Sequence, residues 1–169
     1  MTGPWKSSPR AHLAAELATV ALSADEENRL HTIVAAVLEE LGADAVQVSM
    51  MADEQVSAAS CGKIVTRTEH TMRVPLENTA CTNVLRTQLP QVIPDARSDA
   101  RVSSLPVVER GFLGAYIGAP LVVQGMIVGV LCAIQSRPRA WTSSDLELLQ
   151  RHADEVEKEL LRLVVLIGS

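Results

Sequence analysis

The chain predicts an α+β fold in which helices pack on a central antiparallel β-sheet. Three observations carry that expectation: an apolar stripe at helical spacing before residue 42, two apolar runs joined at Gln124-Gly125, and a capped amphipathic segment near the end of the chain. With 169 residues, 47 % of them apolar, the chain can bury one substantial core and lacks the composition of a disordered segment.

Residues 1–10, "MTGPWKSSPR", are dense in Gly, Pro and Ser and read as a flexible leader. Residues 11–169 read as a single domain, with N-terminal helices over 11–42 and a C-terminal helix over 143–167. Leu13, Leu17, Val20 and Ala21 recur at helical spacing. Ser23 followed by Glu26 is a capping-box pattern that restarts a helix. Its apolar face is Leu30, Ile33, Val34, Val37, Leu38 and Leu41, and Gly42 is placed to end it.

"DAVQVSMM" (44–51) alternates as a strand, and "VSAAS" (56–60) pairs with it across "ADEQ". The span 61–75 continues as loop and strand to Pro75. Residues 79–87 predict a short helix with Cys81, Val84 and Leu85 on its apolar side. A helix N-terminus near Cys81 would favour the thiolate. "QVI" (91–93) predicts a short buried strand, and the polar stretch 95–111 holds one helical turn around Leu105, Val107 and Val108.

"FLGAYIGAPLVV" (112–123) and "MIVGVLCAI" (126–134) predict two long strands joined by a two-residue turn. Both are apolar at nearly every position, which suits central strands covered on both faces. Thr142 with Asp145, or Ser144 with Glu147, caps the last helix, whose stripe is Leu146, Leu149, Ala153, Val156, Leu160 and Leu163. Its end, "LLRLVVLI", is apolar nearly all round and needs more than one surface to bury against. The terminal helices are therefore expected to form a helical dimer bundle through Leu13, Leu17, Leu160, Leu163, Val164 and Ile167.

A net charge of −5 without a basic run argues against nucleic acid and anionic membrane surfaces as partners. Only Trp5, Phe112, Tyr116 and Trp141 are aromatic, too few for a typical flat-cofactor sandwich. Cys61, Cys81 and Cys132 form no CxxC pair, and His12, His31, His70 and His152 are scattered, so no metal site is expected. With no apolar signal core and no run of about 18 apolar residues, the expected location is cytoplasmic. No phosphate-cradling or hydrolase motif occurs.

"CTNVLRTQLPQVIPDARSDARV" and "GAYIGAPLVVQGMIVGVLCAIQSRPRAWTSSDLELL" together resemble the GAF domain family, across residues 28–165. The resemblance implies a GAF/PAS-like sheet with a pocket beneath the segments 79–87 and 97–110. It implies a stand-alone, bacterial-type sensor module, non-catalytic, that binds an unidentified small molecule. Such a module would act as a homodimer and signal to a separate protein through a ligand-driven population shift. The family's cyclic-nucleotide motifs are absent, the segment before the long hairpin lacks the haem-branch histidine, and no Cys-His pair exists for a bilin. "AASCGKI" and "NTACTNV" do not resemble the cysteine segments of the free methionine sulfoxide reductase branch.

The expected pocket residues are Cys81, Val84, Asp95, Arg97, Asp99, Arg101 and Tyr116. An arginine of "PDARSDAR" could hold an anionic ligand, or the charges could pair locally and fix the pocket's lid. Two alternatives accompany the sensor reading. One is a thiol-based redox sensor using Cys81 with Cys61 or Cys132; the other is a ligand-free dimerisation module with a closed pocket.

Overall fold

The computed structural model describes residues 8–21, 24–63 and 73–168. Its sheet has six antiparallel strands: β1 Ala45–Met51, β2 Glu54–Gly62, β3 Arg73–Pro75, β4 Gln91–Ile93, β5 Ala115–Val123 and β6 Met126–Gln135. Their order is β3-β2-β1-β6-β5-β4, which places the apolar strand β6 between β1 and β5. Gln124 (φ 53°) and Gly125 (φ 76°) both take the left-handed region, as a two-residue turn matched to strand twist requires.

The helices are α1 Pro9–Ala21, α2 Ala24–Leu41, α3 Cys81–Thr87, α4 Pro106–Glu109 and α5 Ser143–Ile167. On one face of the sheet, α1, α2 and α5 bury Leu17, Leu30, Val34, Val37, Leu149, Val156 and Leu160 against Val48, Ile117 and Leu131. On the other face, α3 and α4 enclose a smaller cluster containing Cys81, Val84, Val108, Tyr116 and Cys132. The predicted coverage of the hairpin on both faces follows from this arrangement.

Helix α5 begins with a capping box: the Asp145 N–H donates to Thr142 Oγ1 at 3.0 Å, and the Thr142 N–H donates to the Asp145 carboxylate at 2.9 Å. Arg139 secures this entry by donating to the Leu41 carbonyl at 2.7 Å and lying 4.4 Å over the Trp141 ring. The Trp141 indole N–H reaches the Ile93 carbonyl at 3.2 Å.

Three expectations are corrected here. The leader does not extend to residue 10, because Pro9 already opens α1, where its fixed φ fits the first helical turn. Ser8 Oγ accepts from the Ala11 N–H at 3.2 Å, and the Arg10 guanidinium donates to the carbonyls of Met51 and Ile127. The remainder of the leader, the capping residue Ser23 and His70 fall outside the described residues. Strand β5 begins at Ala115 rather than Phe112, since the N–H groups of Phe112 and Leu113 close the α4 turn on the Val107 carbonyl.

The third correction concerns the interface residues. Leu17, Leu160 and Leu163 have no exposed surface, and Leu13, Val164 and Ile167 pack against the same core. Because α1, α2 and α5 lie together on the sheet, that stripe covers the domain itself. The large apolar side chains that α5 leaves exposed are Leu161, Val165 and Leu166. Among the described residues, no helix is long and apolar enough to cross a membrane.

Candidate functional site

A cavity of about 220 Å³ lies between the sheet and the segments that carry α3 and α4. Its floor is formed by β1 and β6, through Gln47, Cys132 and Ile134. Cys81 and Tyr116 form its deep wall, while Val107 and Phe112, each 40 % exposed, stand at its rim. Among the described residues, no charged side chain lines it.

Cys81 is the first residue of α3, and its N–H donates to Thr79 Oγ1 at 3.1 Å. The Tyr116 hydroxyl donates to Cys81 Sγ at 3.1 Å, and Ser49 Oγ lies 4.0 Å from the sulfur. Hydrogen bonding from the Cys132 thiol is the largest influence on Cys81; burial opposes it, and Tyr116, Thr79 and Ser49 add to it. Together they bring the Cys81 thiol from 9.0 down to about 7. The bond to Cys81, with burial, pushes Cys132 well up, so one proton leaves this thiol pair readily and the second is held. Burial pushes the Tyr116 phenol well above its ordinary value, keeping it a donor. Neutral donors therefore account for the thiol's acidity, where the sequence had suggested the start of a helix.

Gln55, 7 % exposed, lines the same cavity. Its Oε1 accepts from the Thr79 hydroxyl at 2.6 Å.

With this geometry in hand, comparison with known proteins is informative. The family model of the GAF domain matches residues 25–160. The chain belongs to the GAF domain family. No curated protein matches it. Among solved structures, this GAF domain is similar to the GAF domain of a Coxiella burnetii phosphoenolpyruvate-protein phosphotransferase (16 % identity, 95 % of this chain and 97 % of that one, TM-score 0.71). It is also similar to GAF-B of Mycobacterium smegmatis DevS (22 %, 83 % and 96 %, TM-score 0.64). A third similar structure is the type II free methionine-R-sulfoxide reductase of Thermoplasma acidophilum (16 %, 85 % and 94 %, TM-score 0.66). The likeness therefore extends to sensory and regulatory domains and to an enzyme, and at these identities it establishes the fold.

Within the GAF domain, the expected pocket set divides. Cys81 and Tyr116 line the cavity; Val84, Asp95, Arg97, Asp99 and Arg101 do not. Val84 is wholly buried in the cluster behind α3, and Arg97 is exposed. Arg101 grips Asp99 through two bonds of 2.9 and 2.6 Å and donates to Gln91 Oε1 at 2.7 Å and the Val92 carbonyl at 3.1 Å. Asp95 accepts from the Ser98 hydroxyl at 3.1 Å. The charged motif thus ties its own segment to the edge strand β4, which is the local-pairing alternative, and neither Arg97 nor Arg101 lines the cavity.

Of the redox candidates, Cys81 and Cys132 meet, whereas Cys61 packs against the core on the opposite face of the sheet. Sequence reasoning missed Gln55, Gln47 and Phe112 as pocket residues. Gln55 is the second residue of β2, whose sequence also holds Glu54, Ser57 and Ser60, so its polarity alone did not single it out.

Proposed function

We propose that this GAF domain is a non-catalytic regulatory sensor that takes a small uncharged molecule into the cavity beneath α3 and α4. The observation that carries this reading is a cavity whose lining side chains, among the described residues, are all uncharged and include the polar groups of Gln47, Gln55, Thr79 and Tyr116. At roughly 30 Å³ per water-sized group, it holds a ligand of about seven non-hydrogen atoms. Occupancy would favour one placement of α3, α4 and the 95–105 segment over the sheet.

The same reading has the domain work as a homodimer that signals to a separate protein. The apolar surface of Leu161, Val165 and Leu166 on α5 supports an interface there. Native mass spectrometry of the purified protein, paired with thermal shift against small neutral and anionic compounds, tests both parts. A retained or stabilising neutral ligand on a dimer is expected. A monomer stabilised by no neutral compound would overturn the reading.

A further inference from the structure

We infer that Cys81 and Cys132 form a two-thiol site in this cavity, which small neutral hydroperoxides convert to a reversible disulfide. The inference goes beyond the sensing reading and is independent of which neutral molecule the cavity takes. It rests on where separate elements deliver their side chains. Cys132 on β6 pairs with Gly118 on β5. Directly opposed residues of antiparallel strands hold their Cβ positions about 5 Å apart. Gly118 has no Cβ, and one placed there would overlap the Tyr116 hydroxyl. That hydroxyl is 3.1 Å from Cys81 Sγ at the start of α3. The gap left by Gly118 is therefore the place where Cys132, from β6, and Cys81, from α3, converge.

Ser49 on β1 marks the same point, since its hydroxyl lies 4.0 Å from Cys81 Sγ and hydrogen-bonds the Cys132 thiol. The two thiols are hydrogen-bonded to each other, share one buried cluster and line one cavity. A pair in contact has an outlet that a single buried thiol lacks, because the second sulfur can displace oxygen from the first. The cavity mouth at Val107 and Phe112 admits a small oxidant. Walls without charged side chains among the described residues disfavour an anionic one by desolvation.

The chemistry takes two steps. The Cys81 sulfur, its proton released to solvent, attacks the terminal oxygen of the hydroperoxide. A sulfur–oxygen bond forms as the oxygen–oxygen bond breaks. The departing oxygen takes a proton from solvent and leaves as an alcohol, or as water from hydrogen peroxide, and Cys81 becomes a sulfenic acid. The Cys132 sulfur then bonds to the Cys81 sulfur. The sulfur–oxygen bond breaks, and the hydroxyl leaves as water with the Cys132 proton. Overall, two thiols are oxidised to one disulfide and one hydroperoxide is reduced to an alcohol and water. A disulfide holds its sulfurs about 2 Å apart, so closure draws the first residue of α3 onto β6.

The full chain is treated with hydrogen peroxide or tert-butyl hydroperoxide at neutral pH, then alkylated in denaturant and mapped without reduction. One intramolecular Cys81–Cys132 link is expected, with two of the three thiols lost to alkylation and Cys61 still free. Dithiothreitol should restore both. Cys132→Ser should leave a sulfenic acid on Cys81 that dimedone traps, and Cys81→Ser should abolish oxidation of Cys132 at the same peroxide concentration. A wild-type protein that keeps all three thiols, links only through Cys61, or links Cys81 to Cys132 only after unfolding overturns the inference. That reading needs no variant to fold. Stabilisation by a neutral compound alongside an unlinked pair leaves the sensing reading standing without this site. A linked pair in a monomer that no neutral compound stabilises removes the sensing reading and keeps the two-thiol site.

Discussion

The Tyr116 hydroxyl donates to Cys81 Sγ at 3.1 Å, joining the inner strand β5 to the first residue of α3 across the cavity wall. Both residues are almost fully buried, so this contact couples the chemistry of the thiol to the position of a short helix. Anything that moves α3 on the sheet changes the thiol's proton donors, and a group bonded to that sulfur would push on α3. The predictions below test the contact and the elements that hold it in place.

Tyr116→Phe removes one donor to the sulfur and should raise the thiol from its value of about 7. Iodoacetamide labelling of Cys81 across pH reads the shift. Since the thiol is more acidic folded than unfolded, its ionisation contributes stability that is fully present above 9.0 and is lost as pH falls through about 7. The wild-type advantage over Cys81→Ser should therefore grow across that window, and the advantage should shrink in the Tyr116→Phe background.

Gly118 lies two residues from Tyr116 on the same face of β5, and a Cβ there would overlap the tyrosine ring and hydroxyl. Gly118→Ala should cost about 1–3 kcal/mol by overpacking and should displace the phenol from Cys81. Urea denaturation measures the first effect. An upward shift in the pH midpoint of Cys81 labelling measures the second, even where the stability loss is small.

Asp99 is held below the usual carboxylate range, chiefly by its side-chain bonds to Arg101. The pair is partly solvated, so Asp99→Asn should cost about 1 kcal/mol or less at neutral pH. Its contribution is present above 3.8 and is lost as pH falls through the lowered value, so wild type and Asp99→Asn should converge in Tm in strong acid. Ligand-induced stabilisation should survive the substitution, because neither residue lines the cavity.

Leu160 and Val165 separate the two roles of α5. Leu160 is wholly buried, and Leu160→Ala should cost about 2–5 kcal/mol. Val165 is 69 % exposed, and Val165→Glu should leave the melting temperature nearly unchanged while shifting sedimentation toward monomer. A Val165→Glu protein with unchanged mass would remove this surface as the proposed dimer contact.

Much of the architecture was legible along the chain, because it depends on periodicities within single elements. The α2 stripe ending at Gly42 (φ 64°), the Gln124-Gly125 turn and the Thr142-Asp145 cap each needed only neighbours a few residues apart. The site was less legible. Cys81 and Tyr116 could be placed at the pocket, but Gln55 and Thr79 are 24 residues apart in sequence and meet at 2.6 Å through strand pairing that no local pattern encodes. The alternating charges of "PDARSDAR" suggested a ligand clamp as readily as a local tie, and the choice lay with Gln91 and Val92, which occupy Arg101.

The sequence by itself determined the helices, the central hairpin and the family, since these follow from apolar spacing, turn chemistry and contiguous motifs. Only the tertiary structure decided which side of each element faces solvent and which faces the domain. The α5 leucines illustrate the difference: their stripe shows that they must be buried, while the packing of α1, α2 and α5 on one sheet face determines that this domain buries them. The acidity of Cys81 follows the same rule, because its decisive donors, Cys132 and Tyr116, reach it from strands β6 and β5 through space.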